Sequence, residues 1–257
     1  RVTKQDVLAA TSRGADPGHP ASEDRLIEPS PVRKLIAAHM ARSVSEIPHA
    51  WSAVEVDATG MVACRAARRE RFQAETGVDL TYLAFNLHAV AQALRGNPLL
   101  NSSWEGGRVR LKGRVNVGIA VAGRDGLVVP VVHDADRGTV AGLARLLAPV
   151  IARAREGKLT LADVQGGTFT LNNTGALGSV LGGAIINHPQ AAVLTTEAIV
   201  KRPAVVSGPG GDTVAVRSMM NICLSFDHRV MDGAEAAAFM QDVRRRLESI
   251  TRETPVE

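Results

Sequence analysis

Two runs of β-branched residues joined by a short glycine-flanked segment constrain the fold of this chain most strongly. The runs span 115–121 and 127–132, and Gly123-Arg124-Asp125-Gly126 separates them. Runs rich in Val and Ile that are bounded by glycine are typical of paired antiparallel strands. We therefore predict a hairpin here, which excludes a strict alternation of strand and crossover helix along the whole chain.

Other parts of the chain carry helical periodicity. Helices are predicted from Ser30-Pro31 onward and over 59–76, 81–95, 139–155 and 233–249, and strands over 51–57, 168–172, 191–200 and 214–226. Hairpins between some strands and long helices between others favour a mixed-sheet α/β sandwich with packed helices over a doubly wound parallel fold. The glycine-rich phosphate loops of nucleotide-binding folds are absent from the sequence.

The composition limits the possible partners. The 257 residues are 45% hydrophobic but only 3% aromatic, which suits one large domain with an aliphatic core. The net charge of +4 comes without a dense basic run or the interleaved aromatics of single-strand nucleic-acid surfaces. We expect a surface of mixed sign and no nucleic acid, and a small phosphate-bearing ligand is the alternative source of the basic excess.

The two ends of the sequence differ in character. Residues 1–10 are predicted to form a short helix, 11–26 a linker rich in Ser, Gly, Pro and Ala, and 27–257 the globular domain. Cys64 and Cys223 have neither disulfide-framework nor metal-ligand spacing, so no metal is expected. No stretch reaches the ~18 apolar residues of a membrane span and no signal peptide opens the sequence, so we expect the reducing cytoplasm.

The segment 224–233 carries the most chemistry, because polar groups emerge there at the end of an apolar strand. His228 is suited to general-base work, since its unperturbed pKa is near 6.5. Asp232 could accept hydrogen bonds from Arg229 or from backbone amides, and Gly233 permits a tight turn into the last helix. The pattern His-x-x-x-Asp is weak by itself, and a His and an Asp that merely satisfy a loop are the structural alternative.

Additional segments strengthen the interpretation. The blocks that carry the resemblance are 47–49, 116–121 with 126–131, 167–175, 185–191 and 227–233, in this order and spacing. Together they resemble the dihydrolipoamide acyltransferases, the core components of 2-oxo acid dehydrogenase complexes, over about 27–249. The resemblance implies a chloramphenicol acetyltransferase-like fold. It also implies that 1–10 is the end of a peripheral subunit-binding domain, that 11–26 is a swinging linker, and that the lipoyl group sits on a separate domain.

The resemblance further implies acyl transfer between a dihydrolipoyl arm and coenzyme A. His228 would be the general base and Asp232 an orienting residue, paired with Arg229 or the backbone rather than acting as a relay. Asn172 would be the oxyanion donor, at a position where most members of the family have Ser or Thr. An Asn amide has two N–H donors and can do the same work. Thr174 or a backbone amide is the alternative donor.

Family positions for coenzyme A binding fall on Arg65, Thr81 and Asn173, and less firmly on Arg33. The alternative for Arg65 is one solvated charge in an Arg-rich helix. The segments 172–175 and 185–190 look closest to the branched-chain type, which transfers isobutyryl, isovaleryl or 2-methylbutyryl groups. Acetyl and succinyl transfer remain alternatives.

The resemblance also implies partners. The family forms homotrimers that assemble into larger cubic cores, with His228 facing Asn172 of an adjacent chain, and 178–183 and the last helix are candidate contact surfaces. The decarboxylase, the dihydrolipoamide dehydrogenase and the lipoyl domain would be partners. A free-standing acyltransferase of the chloramphenicol type would not need the linker. An inactive scaffold would usually lack the histidine, whereas His228 and Asp232 are both present.

Overall fold

The computed structural model describes residues 3–5, 24–124 and 126–257. The chain divides into two units, residues 1–31 and 32–257, and the second contains the sheet and its helices. The predicted helix over 1–10 and linker over 11–26 lie outside the described residues except for 3–5 and 24–26. No helix within the described ranges is both long and apolar enough to cross a membrane.

The described residues alternate between strands and helices, with several hairpins among them. The longer helices are α1 (Pro31–Glu46), α2 (Thr59–Thr76), α3 (Tyr82–Gly96), α4 (Val140–Glu156) and α6 (Gly233–Glu248), and α5 (Leu161–Val164) is a single turn. The strands are β1 (His49–Asp57), β2 (Ser102–Glu105), β3 (Arg108–Leu111), β4 (Val117–Gly123), β5 (Gly126–Val128), β6 (Val131–Val132), β7 (Phe169–Asn172), β8 (Ala192–Thr196), β9 (Val200–Gly208) and β10 (Gly211–Asp227).

The main sheet is mixed. Its order is β1-β10-β8-β7-β4-β5, with β6 also paired to β4 and β9 to β10. Strand β7 is parallel to both of its neighbours, β4 and β8, whereas β1, β8 and β9 are antiparallel to β10. The predicted hairpin is confirmed, because β4 pairs with β5 and β6 in one register, Val121 with Val128 and Val117 with Val132. The predicted mixed-sheet α/β sandwich is confirmed as well.

Helices α2, α3, α4 and α6 cover one face of the sheet. The core between them is aliphatic with a few aromatic rings, such as Phe169 and Phe239 in edge-on contact at 5.8 Å between centroids. Thr139 caps α4 by accepting a hydrogen bond from the Gly142 amide at 3.1 Å. The helix boundaries predicted from periodicity and caps agree with the structure within one or two residues.

On the opposite side of the sheet, the long segment between β7 and β8 contacts the strands, and α1 contacts that segment through Ser43. The Asn221 amide donates to the Val180 carbonyl at 2.7 Å, and the Ser43 hydroxyl donates to the Ile186 carbonyl at 2.6 Å. Gly183 lies against the Trp51 ring, where a β-carbon would come within 3.2 Å of it. This covering segment begins directly after Asn172, so it also determines how one candidate catalytic residue is held.

Two hairpins were not predicted from the sequence. Strand β9 pairs with the first half of β10 to form a ribbon, and β2 pairs with β3 across Gly106 and Gly107. On the ribbon, Val205, Val214 and Val216 are two-thirds or more exposed. The predicted strand over 191–200 is therefore two strands, with a break at 197–199.

Candidate active site

His228 stands in the turn between the last strand and the last helix. Its backbone amide donates to the Pro48 carbonyl at 3.1 Å, which ties the turn to the start of β1. The side chain is 52% exposed, and its Nδ1 lies 3.6 Å from Asp232 Oδ1. This distance is too long for a hydrogen bond. The Asp232 carboxylate therefore lies near the imidazole without a hydrogen bond to it, and the half-exposed ring is open to a substrate, as a general base must be.

An ion pair between the buried Asp227 and the partly exposed Arg229 holds the turn. Asp227 is 1% exposed, and its carboxylate accepts hydrogen bonds from Arg229 Nη2 at 2.7 Å and from the Arg229 backbone amide at 2.9 Å. The Asp227 hydrogen bond raises the pKa of the Arg229 guanidinium, which also lies over the Trp104 ring at 5.4 Å. Of the two partners expected for Asp232, Arg229 or the backbone, the structure excludes Arg229, which donates from its side chain and its backbone amide to Asp227.

Asp232 performs two tasks at the start of α6. It occupies the cap position, and its backbone amide donates to Glu235 Oε2 at 3.0 Å in a reciprocal capping arrangement. Its side chain is 79% exposed and faces the His228 ring. The helix entry thus fixes a negative charge beside the imidazole without burying that charge, which suits an orienting residue.

A cavity of about 350 Å³ lies where α2, α3 and the segment after β7 meet. The sequence-predicted residues Arg65, Thr81 and Asn173 all line it. The Arg65 side chain donates from Nε to the Leu80 carbonyl at 2.6 Å and lies over the Tyr82 ring at 4.7 Å. Arg65 is thus held in place at the cavity and is not a freely solvated charge.

Asn172 ends β7 and lies between Ala120 and Thr195 in the sheet. Among the described residues, its side-chain amide makes no hydrogen bond, so its two N–H donors are available. Thr174 is different, because its hydroxyl donates to Glu197 Oε2 at 2.8 Å. A hydroxyl has one proton to donate, so this contact favours Asn172 over Thr174 as the donor to a developing oxyanion.

Within one chain, Asn172 and His228 do not come together. Asn172 lies beside Thr195, and Thr195 lies beside Cys223 on β10, so two strand spacings separate Asn172 from Cys223. His228 is five residues further along β10 and its turn. Strands ~4.8 Å apart and a rise of ~3.3 Å per residue then give a separation of roughly 19 Å. The two groups cannot act on the same atom unless a second copy brings them together.

Sequence reasoning missed two buried polar residues at the cavity. Asn86 on α3 is 2% exposed and Glu197 after β8 is 3% exposed, and both line it. The Asn86 Oδ1 atom is buried without a hydrogen-bond partner. In sequence, Asn86 interrupts the otherwise apolar buried stripe of its helix, and that interruption was the available signal. Glu197 gave no such signal, because an acidic residue after a strand usually lies on the surface.

Cys223 lies beside Thr195 and Glu197, and neither cysteine lines the cavity. Both are buried and free, and burial raises the pKa of each thiol. Among the described residues, no group of three or more His, Cys, Asp or Glu side chains is arranged to hold a metal ion.

The fold is that of a known class of acyltransferases. A chloramphenicol acetyltransferase structure superposes with a TM-score of 0.50 at 19% identity, covering 82% of this chain and 94% of that chain. At this identity the likeness concerns the fold alone.

Sequence comparison defines the family. The family model described as 2-oxoacid dehydrogenases acyltransferase (catalytic domain) matches residues 21–253, and the chain belongs to this family. The lipoamide acyltransferase component of the branched-chain alpha-keto acid dehydrogenase complex of Bacillus subtilis is 48% identical, over 92% of this chain and 55% of that protein.

Solved structures agree with this assignment. A probable dihydrolipoamide acetyltransferase from Listeria monocytogenes is 48% identical with a TM-score of 0.88, covering 92% of this chain and 100% of that one. The Azotobacter vinelandii dihydrolipoamide acetyltransferase is 30% identical with a TM-score of 0.83, covering 91% and 98%. The chain spans between 40% and 63% of the length of the curated relatives it matches.

Proposed function

We propose that this chain transfers an acyl group between a dihydrolipoyl arm and coenzyme A. The observation that carries the proposal is the convergence of Arg65, Thr81 and Asn173 on one cavity, although they come from three different segments of the chain. A guanidinium beside hydrogen-bonding groups suits a long substrate with phosphate and amide groups, which is the chemistry of coenzyme A.

The proposed reaction begins with His228. Its imidazole takes the proton from the coenzyme A thiol, and the thiolate attacks the carbonyl carbon of the acyl-dihydrolipoyl thioester. The Asn172 amide donates to the oxyanion of the tetrahedral intermediate. The intermediate collapses by breaking the bond to the dihydrolipoyl sulfur, and the imidazolium returns the proton to that sulfur. Asp232 keeps the ring oriented throughout.

A relative supports the choice of residues. In the Azotobacter vinelandii enzyme, a serine, a histidine and an asparagine four residues after the histidine have been examined for roles in catalysis. His228 and Asp232 have the same spacing. Here an aspartate occupies the fourth position after the histidine. We propose that the Asn172 amide donates to the oxyanion in place of a serine hydroxyl.

We further propose that neighbouring copies share each active site. The separation of roughly 19 Å between Asn172 and His228 in one chain, from strand geometry, supports a homotrimer in which each site combines two chains. The cubic core described for a pyruvate dehydrogenase complex, whose subunit is 30% identical, supports assembly into a larger core. The decarboxylase, the dihydrolipoamide dehydrogenase and the lipoyl domain are the proposed partners. The unpaired cysteines are consistent with the proposed cytoplasmic location.

For the acyl group we propose the branched-chain class. The Bacillus subtilis relative named for the branched-chain complex is 48% identical, whereas an acetyltransferase component from Mycobacterium bovis is 39% and a succinyltransferase component from Rickettsia bellii 35% identical. The 48% identical Listeria monocytogenes protein is named an acetyltransferase, so acetyl transfer is the competing candidate.

The test is acyl transfer to dihydrolipoamide, measured in the reverse direction from isobutyryl-, acetyl- and succinyl-coenzyme A. We expect a clear preference for isobutyryl-coenzyme A in kcat/KM. A preference for acetyl or succinyl would keep the proposed reaction and reject the branched-chain assignment. A folded, assembled protein that transfers none of the three would reject the enzyme and favour an inactive core subunit.

A further inference from the structure

Glu197, immediately after β8, is a buried acidic residue whose partners are neutral. It is 3% exposed, and it forms no ion pair with any residue that the structure describes. One carboxyl oxygen accepts the Thr195 hydroxyl at 2.6 Å and the other accepts the Thr174 hydroxyl at 2.8 Å. Burying a carboxyl group is costly unless hydrogen bonds compensate, so these two contacts account for its position.

Both hydroxyls belong to neighbours of Asn172. Thr195 lies beside Asn172 on the adjacent parallel strand, and Thr174 follows it by two residues. Because partners in register point to the same side of a sheet, the Thr195 and Asn172 side chains share a face. One carboxyl group therefore holds the residue beside Asn172 and the residue two positions after it.

The backbone around Glu197 also fixes the segment that follows Asn172. A β-carbon on Gly175 would lie only 2.2 Å from the Glu197 carbonyl carbon, so the two main chains touch and only glycine fits. The Ala198 amide donates to the Ser179 carbonyl at 2.8 Å, and the Glu197 amide donates to the Asn221 carbonyl at 3.0 Å. The segment is thus attached at Gly175 and Ser179 to the strand end that carries Glu197, and that strand end is attached to β10.

We infer that Glu197 is a positioning residue for acyl transfer, acting through Thr174 and Thr195 on the Asn172 amide. It holds the oxyanion donor in a fixed place, and it engages the Thr174 hydroxyl so that this group does not compete for the oxyanion. A donor fixed in advance needs no reorganisation when charge develops, and a misplacement of about 1 Å can cost on the order of 100-fold in rate. This inference rests on the proposed function.

Two other roles predict different results. A purely structural Glu197 would lower stability when replaced and leave kcat of the folded enzyme unchanged. Because Glu197 also lines the cavity proposed for coenzyme A, it could instead contact that substrate, and its replacement would then raise KM for coenzyme A. A positioning residue lowers kcat and leaves KM in place.

The experiment compares Glu197→Gln, Thr174→Val and the double variant in the full assembled protein. Each single change is expected to lower kcat about tenfold with KM for coenzyme A within about twofold, and the double variant should lose little more, because both changes break one coupled unit. Thr174→Ser keeps the hydroxyl and should retain kcat within about twofold of wild type.

Thr170→Val is the matched control. Thr170 lies on the same strand and face as Asn172, and its buried hydroxyl donates to Gln190 Oε1 at 2.6 Å. Its loss removes a buried hydrogen bond without touching Glu197. We expect a lower melting temperature and an unchanged kcat. If Glu197→Gln does not fold, Thr174→Val and Thr174→Ser carry the test alone.

Four results would overturn the inference. They are an unchanged kcat in folded Glu197→Gln, a raised KM with unchanged kcat, losses that multiply in the double variant, or an equal loss of kcat in Thr170→Val. Lack of transfer by the wild-type protein would reject the proposed function itself, and is distinguishable because it appears before any variant is made.

Discussion

The candidate active site has two parts, which we call its corners: one around His228 at the end of β10 and one around Asn172 at the end of β7. The two corners are built in opposite ways. At the end of β10, His228 and Asp232 are 52% and 79% exposed and are held by the turn and the helix cap beneath them. At the end of β7, the support for Asn172 is buried, with Glu197 only 3% exposed. A proton-exchanging base needs access to the thiols of two substrates, whereas an oxyanion donor needs a fixed position.

The corners also differ in how charge is used. Beneath His228, the buried Asp227 carboxylate is neutralised by Arg229, with Nη2 at 2.7 Å. Beside Asn172, the carboxyl group of Glu197 accepts hydrogen bonds from the Thr174 and Thr195 hydroxyls and forms no ion pair with a described residue. A change at the first corner should therefore affect protonation and access, and a change at the second should affect geometry.

Replacing the base should have the largest effect. His228→Ala is expected to lower kcat about 1000-fold, because general-base catalysis is worth roughly 100- to 10,000-fold. The half-exposed side chain contributes little to packing, so the melting temperature should stay within a few degrees of wild type. Steady-state transfer and thermal unfolding measure both. A folded variant with near-wild-type turnover would refute the role of His228.

Replacing the proposed oxyanion donor should cause the next largest loss of kcat. Asn172→Ala is expected to lower kcat about 100-fold with little change in KM, as for the loss of one preorganised donor. Asn172→Ser, which restores a single hydroxyl donor, should recover part of the loss. A decrease much below tenfold in the alanine variant would mean that a backbone amide stabilises the oxyanion instead.

Two substitutions of Asp232 distinguish its role in orienting His228 from its role as the cap of α6. Asp232→Asn keeps a good helix cap but removes the charge beside His228, whereas Asp232→Ala removes both. We expect both variants to lose about three- to tenfold in kcat, and only the alanine variant to lose about 1 kcal/mol of unfolding free energy. Equal stability losses in the two variants would show that the cap depends on the charge rather than on the side-chain oxygen.

The smallest effect is expected for Asn86, a buried residue that lines the cavity. Asn86→Leu should raise KM for coenzyme A about fivefold while stabilising the protein slightly, because a buried polar atom without a partner is costly until a ligand satisfies it. Thr196→Val is the control, since the Thr196 hydroxyl is also buried and unpartnered but does not line the cavity. It should raise stability and leave KM alone. An unchanged KM in Asn86→Leu would exclude a substrate contact.

Strong local patterns made most of the fold predictable from the sequence. The hairpin over β4 to β6 has β-branched runs with glycine between them, and α2 and α4 have caps and apolar periodicity. Strand β9 was missed because Pro203 and adjacent basic residues interrupt its alternation; it exists because it pairs with β10 at an edge. The β2–β3 hairpin was missed although Gly106-Gly107, both with positive φ, is a recognised turn signal.

The site was only partly predictable, for a different reason. His228 and Asp232 sit in one short segment at a strand-to-helix junction, so sequence alone indicates them. The partner of Arg229 depended on which carboxylate the turn places beneath it, and spacing did not decide between Asp227 and Asp232. The role of Glu197 could not be predicted from the sequence, because its two hydroxyl partners lie on different parts of the chain and come together only when β7 and β8 pair.

The most direct test of a site shared between copies is complementation between the two corners. His228→Ala and Asn172→Ala are each made, confirmed inactive, and then co-assembled in equal amounts. If each site takes His228 from one copy and Asn172 from another, random mixing in a cyclic assembly leaves about one quarter of the sites intact, and activity should return to about that fraction of wild type. If both residues served one site within the same chain, no intact site could form, and activity at the background of the single variants would contradict the account.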